Sequence, residues 1–585
     1  MTGLLALCLL TADPIPTEVR VGNGRAELTR GGEAYFVRGV GGSEHLKLAA
    51  DRGANSIRTW GADGAEAILD EAEKNGLTVC VGLWLAHPGT YVDYADPAQV
   101  QAQLDRTLAD VRRLKDHPAL LMWGVGNEME GDGTDPNVMG ALEQAAAAIK
   151  SIDPKHPTMT ALAGTPKSKI EGLNRYCPSI DVIGINSYGG APTAAARYAE
   201  NGGTRPFMLT EFGPLGPWEV ASTEWQRRIE ETSTAKADRY RAAYEGSVEG
   251  QPLCVGSYAF LWGTKQETTA TWFGMVLDDG SPTAAVDVMQ ELWTTQPPAN
   301  LAPTIGVPTL PKVDGLKPGE TLTARVEAAD PEGRPLRYEW VLRSDGGVLT
   351  NGAVRQDPER DFPDAITADG PTATLTVPKG GGGYRLFAYA FDPAGNAAVA
   401  NRPIRVDAPP AAWSPRKPTL PLAVYEESVD GGPFAPAGYM GNTSAIVTEE
   451  TTHDPHSGDH CLRIRYTAAG EWGGVLWQAV PDDWDNAKPG GFDLSHATEV
   501  EFFARGETGG ERVTFLVGGD GGGRYGDTGK NELKDVVLTT DWQRLRVVLD
   551  GRDASRIRTG FGWVVAGQGR PVTFHLDDVR FVRRR

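Results

Sequence analysis

The sequence predicts three folded units in series: a (β/α)8 barrel, a small β-sandwich and a C-terminal β-jelly roll. Three observations carry this expectation. From about residue 30 to 295, short β-branched apolar runs alternate with amphipathic stretches of helical period, the pattern of a parallel sheet covered by helices. From about residue 304 to 407 the period falls to two, as in half-buried antiparallel strands. A Pro-rich stretch then leads into a longer run of short strands that continues to the C-terminus.

Eight runs in the first region read as strands: Tyr35–Val40, Ala54–Trp60, Thr78–Leu85, Ala119–Gly126, Thr158–Leu162, Val182–Asn186, Pro206–Thr210 and Val255–Leu261. Segments such as Gly64–Asn75 and Val100–Lys115 read as the helices between them. Eight strands in about 265 residues fit a closed barrel better than an open sheet. The expected boundaries are a leader remnant over 1–19, the barrel over 20–297, an immunoglobulin-like sandwich over 298–407, a Pro-rich linker over 408–421 and the jelly roll over 422–585. A barrel ending near residue 298 is expected to hold its own core and fold alone.

Composition narrows the function classes. The formal net charge of -20 argues against nucleic acid or an anionic membrane as partner, and leaves a neutral polymer such as a polysaccharide or oligosaccharide open. The apolar run Leu4–Leu10 resembles the end of a secretory signal, so a secreted, periplasmic or cell-surface protein is expected. No other stretch approaches the length of a membrane span. The five cysteines are scattered, without metal-ligand spacing, and read as mainly buried thiols.

In a (β/α)8 barrel the chemistry sits at the C-terminal ends of the strands, so the residues closing each run matter most. Strand four closes on Gly126-Asn127-Glu128 and strand seven on Thr210-Glu211-Phe212. Two glutamates thereby face one mouth. A pair of carboxyls about 5 Å apart suits a retaining double displacement, in which one is a proton donor of raised pKa and the other an ionised nucleophile. Dispersed histidines give no metal cluster, and no Gly-x-Ser-x-Gly turn or Gly-rich phosphate loop follows a strand.

This arrangement resembles the clan of retaining glycoside hydrolases whose acid/base follows Asn on strand four and whose nucleophile ends strand seven. Phe36–Val40 on strand one and Gly53–Trp60 on strand two look like the barrel of glycoside hydrolase family 2 and its family 5 relatives. The resemblance covers about 265 residues. It implies Glu128 as acid/base and Glu211 as nucleophile, with no catalytic cofactor. It further implies that Asn127 binds the sugar 2-hydroxyl, that Arg58 and Tyr188 flank Glu211, and that Trp262 lies under the sugar ring. His87 is expected to donate to a hydroxyl of the same sugar.

The last strand, Phe574–Phe581, looks like the closing strand of carbohydrate-binding jelly rolls. In that unit Trp472 and Trp484, in Gly-rich or polar surroundings, are the candidates for stacking on glycan. Asp577 and Asp578 would offer hard oxygen ligands to a structural calcium. The alternatives to a hydrolase are a transglycosylase using the same two glutamates and a non-catalytic carbohydrate-binding protein on a barrel scaffold.

Overall fold

The structure is a computed structural model. It describes residues 14–88, 92–345, 359–408, 415–429, 431–481, 483–523, 525–549 and 553–584. The apolar run Leu4–Leu10, and residues 409–414 of the Pro-rich linker, lie outside the described residues. Two compact units divide the chain, Met1–Pro410 and Ala411–Arg585.

In the first unit eight parallel strands close into a barrel: β1 (Val37–Gly41), β2 (Ser56–Arg58), β3 (Thr78–Leu83), β4 (Leu120–Asn127), β5 (Thr158–Ala163), β6 (Val182–Asn186), β7 (Phe207–Phe212) and β8 (Cys254–Ala259). Each expected strand is present. One helix follows each: α1 (Leu46–Asp51), α2 (Ala65–Lys74), α3 (Pro97–Leu114), α4 (Pro136–Ile152), α5 (Lys167–Tyr176), α6 (Ala194–Glu200), α7 (Ser233–Ser247) and α8 (Ala284–Thr294). The sequence starts several of them firmly. Asp96 and Asp135 each accept a backbone N–H of the first turn, and each is followed by proline, whose missing N–H costs nothing there. Thr232 caps α7 in the same way through Ala235 N.

A three-stranded antiparallel sheet, Thr17–Gly22, Arg25–Arg30 and Glu33–Ala34, precedes the barrel and was not expected. Its Leu28 packs with Val37, Leu121, Met122, Met159, Met208 and Val255. These come from the N-terminal halves of the strands, so the sheet seals the end of the barrel opposite the strand-end glutamates. Residues 17–19, read as leader, are therefore part of a strand paired with residues 28–30.

The sandwich of the first unit pairs Arg337–Ser344 with Gly382–Phe391 and Ala397–Val406 in one sheet, and Thr321–Arg325 with Thr372–Thr376 and Ile366–Asp369 in another. Its core holds Trp340, Leu342, Leu375 and Leu386. Contrary to a freely hinged pair of domains, it is tied to the barrel through buried polar groups. Asn401 Nδ2 donates to Glu230 Oε2 at 2.7 Å, Arg385 Nη2 donates to Arg228 O at 2.9 Å, and Val399 N donates to Ser233 Oγ at 2.9 Å. The chain that follows α8 is bonded down as well, with Ala302 N on Asp287 Oδ2 at 2.6 Å and Ile305 N on Thr234 Oγ1 at 2.9 Å.

The second unit has two antiparallel sheets around one core. One sheet orders Ile446–Thr451, Cys461–Tyr466, Val572–Val582, Glu499–Gly506 and Gln543–Val548, with Leu422–Tyr425 on Val572–Val582. The other orders Ala435–Gly441, Trp472–Gln478, Thr559–Ala566, Arg512–Gly518 and Lys530–Val537. Trp477 and Trp563 fill the space between them. Among the described residues no helix is long and apolar enough to cross a membrane.

Candidate active site

The C-terminal mouth of the barrel opens into a cavity of about 740 Å³, within the roughly 300–1,000 Å³ of small-molecule sites. Glu128 and Glu211 both line it, with Asn127, Asn186, Tyr188, His87, Trp60 and Phe260.

Local backbone geometry aims the strand-four residues. Gly126 has φ 69°, and a Cβ there would lie 2.8 Å from Met129 Sδ. The β4–β5 register shifts between Gly124 and Asn127, and Glu128 itself sits at φ 53°. A shift of this kind re-aims side chains, and left-handed backbone at a non-glycine residue stores strain that surrounding contacts must hold. Glu128 N donating to Ala161 O at 2.8 Å is one such contact. Consecutive residues Asn127 and Glu128 can thereby both reach the mouth.

The two glutamates have opposite surroundings. Glu211 is buried and takes three donors: Arg58 Nη1 at 3.1 Å and Trp60 Nε1 at 2.8 Å on Oε1, and Tyr188 OH at 2.8 Å on Oε2. Three donors fixed around one carboxylate hold its orientation. Glu128 takes a donor from Asn186 Nδ2 at 2.8 Å. Burial, followed by the negative charge of Glu211, pushes its pKa up to about 7 against that hydrogen bond. One carboxyl is thus poised as an acid near neutral pH beside a second that is held by a guanidinium.

Asn127 is held from two sides, its Oδ1 accepting from Arg58 Nη2 at 2.7 Å and from Asn186 Nδ2 at 3.1 Å. With both lone-pair positions of the oxygen occupied, a hydroxyl ligand meets the NH2 end of the amide. Asn186 Oδ1 in turn accepts from Thr210 Oγ1 at 2.7 Å. Arg58, Asn127, Asn186 and the two glutamates therefore form one network spanning β2, β4, β6 and β7.

Of the expected site residues, Glu128, Glu211, Arg58, Asn127 and Tyr188 come together, and two differ. His87 lines the cavity, but its Nε2–H donates to Asn127 O at 2.9 Å, so that nitrogen fixes the strand-four segment rather than reaching a sugar. Trp262 is 1% exposed and belongs to the barrel core. Strand eight ends at Ala259, two residues earlier than expected, so Phe260 and Leu261 take the places on the cavity wall. Trp60 and Asn186, to which sequence reasoning gave no role, make the contacts just described. The signal was present: Trp60 stands two residues after Arg58, and Asn186 two before Tyr188, each pair on one face of an extended chain.

In the second unit Trp472 and Trp484 are 49% and 44% exposed. Trp472 pairs with Ala566 at one end of the five-stranded sheet. Trp484 belongs to the segment beyond Gln478, at the other end, where Asn486 bonds Asp520 O. They do not form one row. The calcium expectation is not met by Asp577 and Asp578. Asp577 accepts His456 N at 2.8 Å, Ser457 N at 3.3 Å and Asp578 N at 2.8 Å, and Asp578 faces His456 Nδ1 at 2.8 Å. Oxygens committed to N–H donors in this way do not fit a hard-cation cage. Among the described residues no group of three or more His, Cys, Asp or Glu is placed to hold a metal.

Residues 63–214, from α2 past the end of β7, match the profile of "Glycosyl hydrolases family 2, TIM barrel domain". Over these residues the barrel resembles the family 2 barrel domain. The chain is similar to the β-glucuronidase of Homo sapiens, 32% identical over 141 residues covering 23% of this chain and 20% of that protein. It is also similar to mannan endo-1,4-β-mannosidase F of Aspergillus fumigatus, 27% identical over 219 residues covering 30% of this chain and 50% of that protein. The chain spans about a fifth of the length of the β-glucuronidases it matches and half of the mannosidase. A β-glucuronidase structure from Ruminococcus gnavus aligns with TM-score 0.38 and 19% identity over 47% of this chain and 52% of that one.

Proposed function

We propose that the protein is a retaining β-glycosidase in which Glu128 is the general acid/base and Glu211 the nucleophile. The observation that carries this reading is the asymmetry of the pair: three donors converge on Glu211, while Glu128 is half-buried beside it with its pKa pushed up to about 7.

In the first step Glu128 gives its proton to the departing glycosidic oxygen as Glu211 Oε attacks the anomeric carbon, forming a glycosyl-enzyme bond and releasing the aglycone. In the second step the now ionised Glu128 takes a proton from water. That water attacks the anomeric carbon, the Glu211 ester bond breaks, and the sugar leaves with its original configuration. Arg58, Trp60 and Tyr188 orient Glu211 throughout. In this reading the NH2 of Asn127 binds the 2-hydroxyl, a contact that strengthens as positive charge develops on the ring.

The glucuronidase and mannosidase relatives support a β-linked carbohydrate substrate. The reading extends to an exported enzyme acting on polysaccharide or oligosaccharide, with Trp472 and Trp484 of the second unit as separate glycan contacts. An intact carboxyl network favours hydrolysis over a binding-only role, because a lectin gains nothing from an acid of raised pKa. Turnover of a panel of aryl β-glycosides and β-glycans by the protein and by its Glu211→Gln variant tests the reading. Equal turnover by both would overturn it.

A further inference from the structure

In the first unit only two tryptophans among the described residues expose a large part of the ring. They are Trp84 at 47% and Trp218 at 53%, and both line the cavity that holds Glu128 and Glu211. Large apolar faces left in water inside a cleft mark a place where a ligand covers them. Neither ring hangs loose. Trp84 stacks on His87 at 5.3 Å between centroids, and Trp218 meets the ring of Tyr188 edge-on at 5.6 Å. Each is thereby held against a residue that hydrogen-bonds the carboxyl network, His87 through Asn127 O and Tyr188 through Glu211 Oε2.

Their places in the fold set them apart. Trp84 follows β3 and Trp218 follows β7, and in the closed order β7-β8-β1-β2-β3-β4-β5-β6 these strands are four positions apart, on opposite sides of the barrel. The two carboxyls lie at the mouth between them. A single terminal sugar seated over Glu211 could cover one indole, whereas a chain crossing the mouth covers both.

The charges around the cavity bear on what that chain carries. Besides Glu128 and Glu211, the wall holds Glu219 and Glu267, against one lysine. Lys265 Nζ is already 2.9 Å from Glu267 Oε2, and Arg58 is committed to Glu211 and Asn127. A uronic acid carboxylate entering this site would meet more carboxylate than cation, at a cost that burial magnifies.

We infer that Trp84 and Trp218 are stacking platforms on opposite sides of the scissile bond, and that the cleft takes an uncharged oligosaccharide chain rather than a terminal uronic acid. The inference rests on the glycosidase reading above. It is tested with the full chain and its Trp84→Ala, Trp84→Phe, Trp218→Ala and Trp218→Phe variants. The substrates are 4-nitrophenyl β-glucoside, β-mannoside, β-galactoside and β-glucuronide, and β-1,4-linked glucan and mannan oligosaccharides from disaccharide to hexasaccharide.

The wild-type protein should cleave a neutral aryl glycoside faster than the glucuronide. Each Ala variant should lower kcat/KM on hexasaccharide by about three- to tenfold and lower it less on the neutral aryl glycoside, which reaches at most one of the two indoles, and each Phe variant should recover most of the loss. Preference for the glucuronide, no loss on hexasaccharide, or an equal loss on both substrate sizes in the Ala and Phe variants would overturn it. A wild-type protein no more active than Glu211→Gln on every substrate would instead overturn the glycosidase reading, and this inference with it.

Discussion

Trp60 Nε1 donates to Glu211 Oε1 at 2.8 Å, from a residue just past the end of β2 to one in β7. The same oxygen takes Arg58 Nη1, so a neutral donor and a cation share one carboxylate oxygen, while Tyr188 holds the other. Glu211 is thus fixed in orientation by three side chains before any substrate arrives.

Removing the neutral donor should cost rate without costing the fold. For Trp60→Phe, the lost hydrogen bond to a charged group corresponds to about ten- to a hundredfold in kcat. KM and Tm should change less than kcat, because a smaller aromatic ring still packs against Phe260. Steady-state kinetics and thermal melting check this; a large fall in Tm with unchanged kcat would place Trp60 in a purely structural role.

The raised pKa of Glu128 makes two pH predictions of definite sign. As general acid it must be protonated, so kcat/KM should fall as pH rises through about 7. Asn186→Ala removes the hydrogen bond that favours the ionised form and should move this basic limb to higher pH. The pH–rate profiles of both proteins measure it.

The same group links stability to pH. Its folded pKa lies above the ordinary carboxyl value, so the folded state binds the proton more tightly, and this contribution is present at low pH and lost as pH rises from about 4.5 through about 7. Glu128→Gln, neutral at every pH, should therefore melt higher than wild type at pH 8, and the gap should shrink at pH 5. Thermal melts at the two pH values decide it.

How much of this could be read in the sequence follows from what each signal depends on. The eight strands and both glutamates stood out because strand ends in a barrel follow from runs of apolar residues. Trp262 was misplaced because the end of a run does not fix where the chain leaves the sheet: β8 stops at Ala259, and the next two residues turn into the mouth. The N-terminal sheet was missed although Asn23-Gly24, with φ 51° and 72°, is the turn dipeptide of a two-residue hairpin between alternating strands. The attachment of the sandwich to the barrel was not legible, since Glu230, Asn401 and Arg385 lie far apart in sequence and look like ordinary surface polar residues.

That attachment bears on stability. Arg385 is buried with Asp345 at 2.8 Å and Asn401 at 2.8 Å, and reaches the barrel at Arg228 O. Arg385→Ala leaves a buried carboxylate without that partner and should destabilise the first unit by about 3–5 kcal/mol. A chain cut near residue 298 should be less soluble and melt lower than one cut near 408, because it also strips Asn401 from the buried Glu230. Urea unfolding of the variant and melting of the two truncations measure these effects; equal stability in both comparisons would mean the contacts are incidental.

The central claim assigns opposite roles to Glu128 and Glu211, and the configuration of the product formed with azide tests it most directly. With an activated aryl β-glycoside, Glu211→Ala should lose several orders of magnitude in rate and, with azide, yield an inverted α-glycosyl azide, since azide replaces the missing nucleophile. Glu128→Ala should still form the glycosyl-enzyme, and azide, needing no general base, should release a β-glycosyl azide of retained configuration. Proton NMR of the two products gives the answer: α from Glu211→Ala and β from Glu128→Ala is the predicted result, and the reverse pair, or unimpaired activity in both variants, contradicts the account.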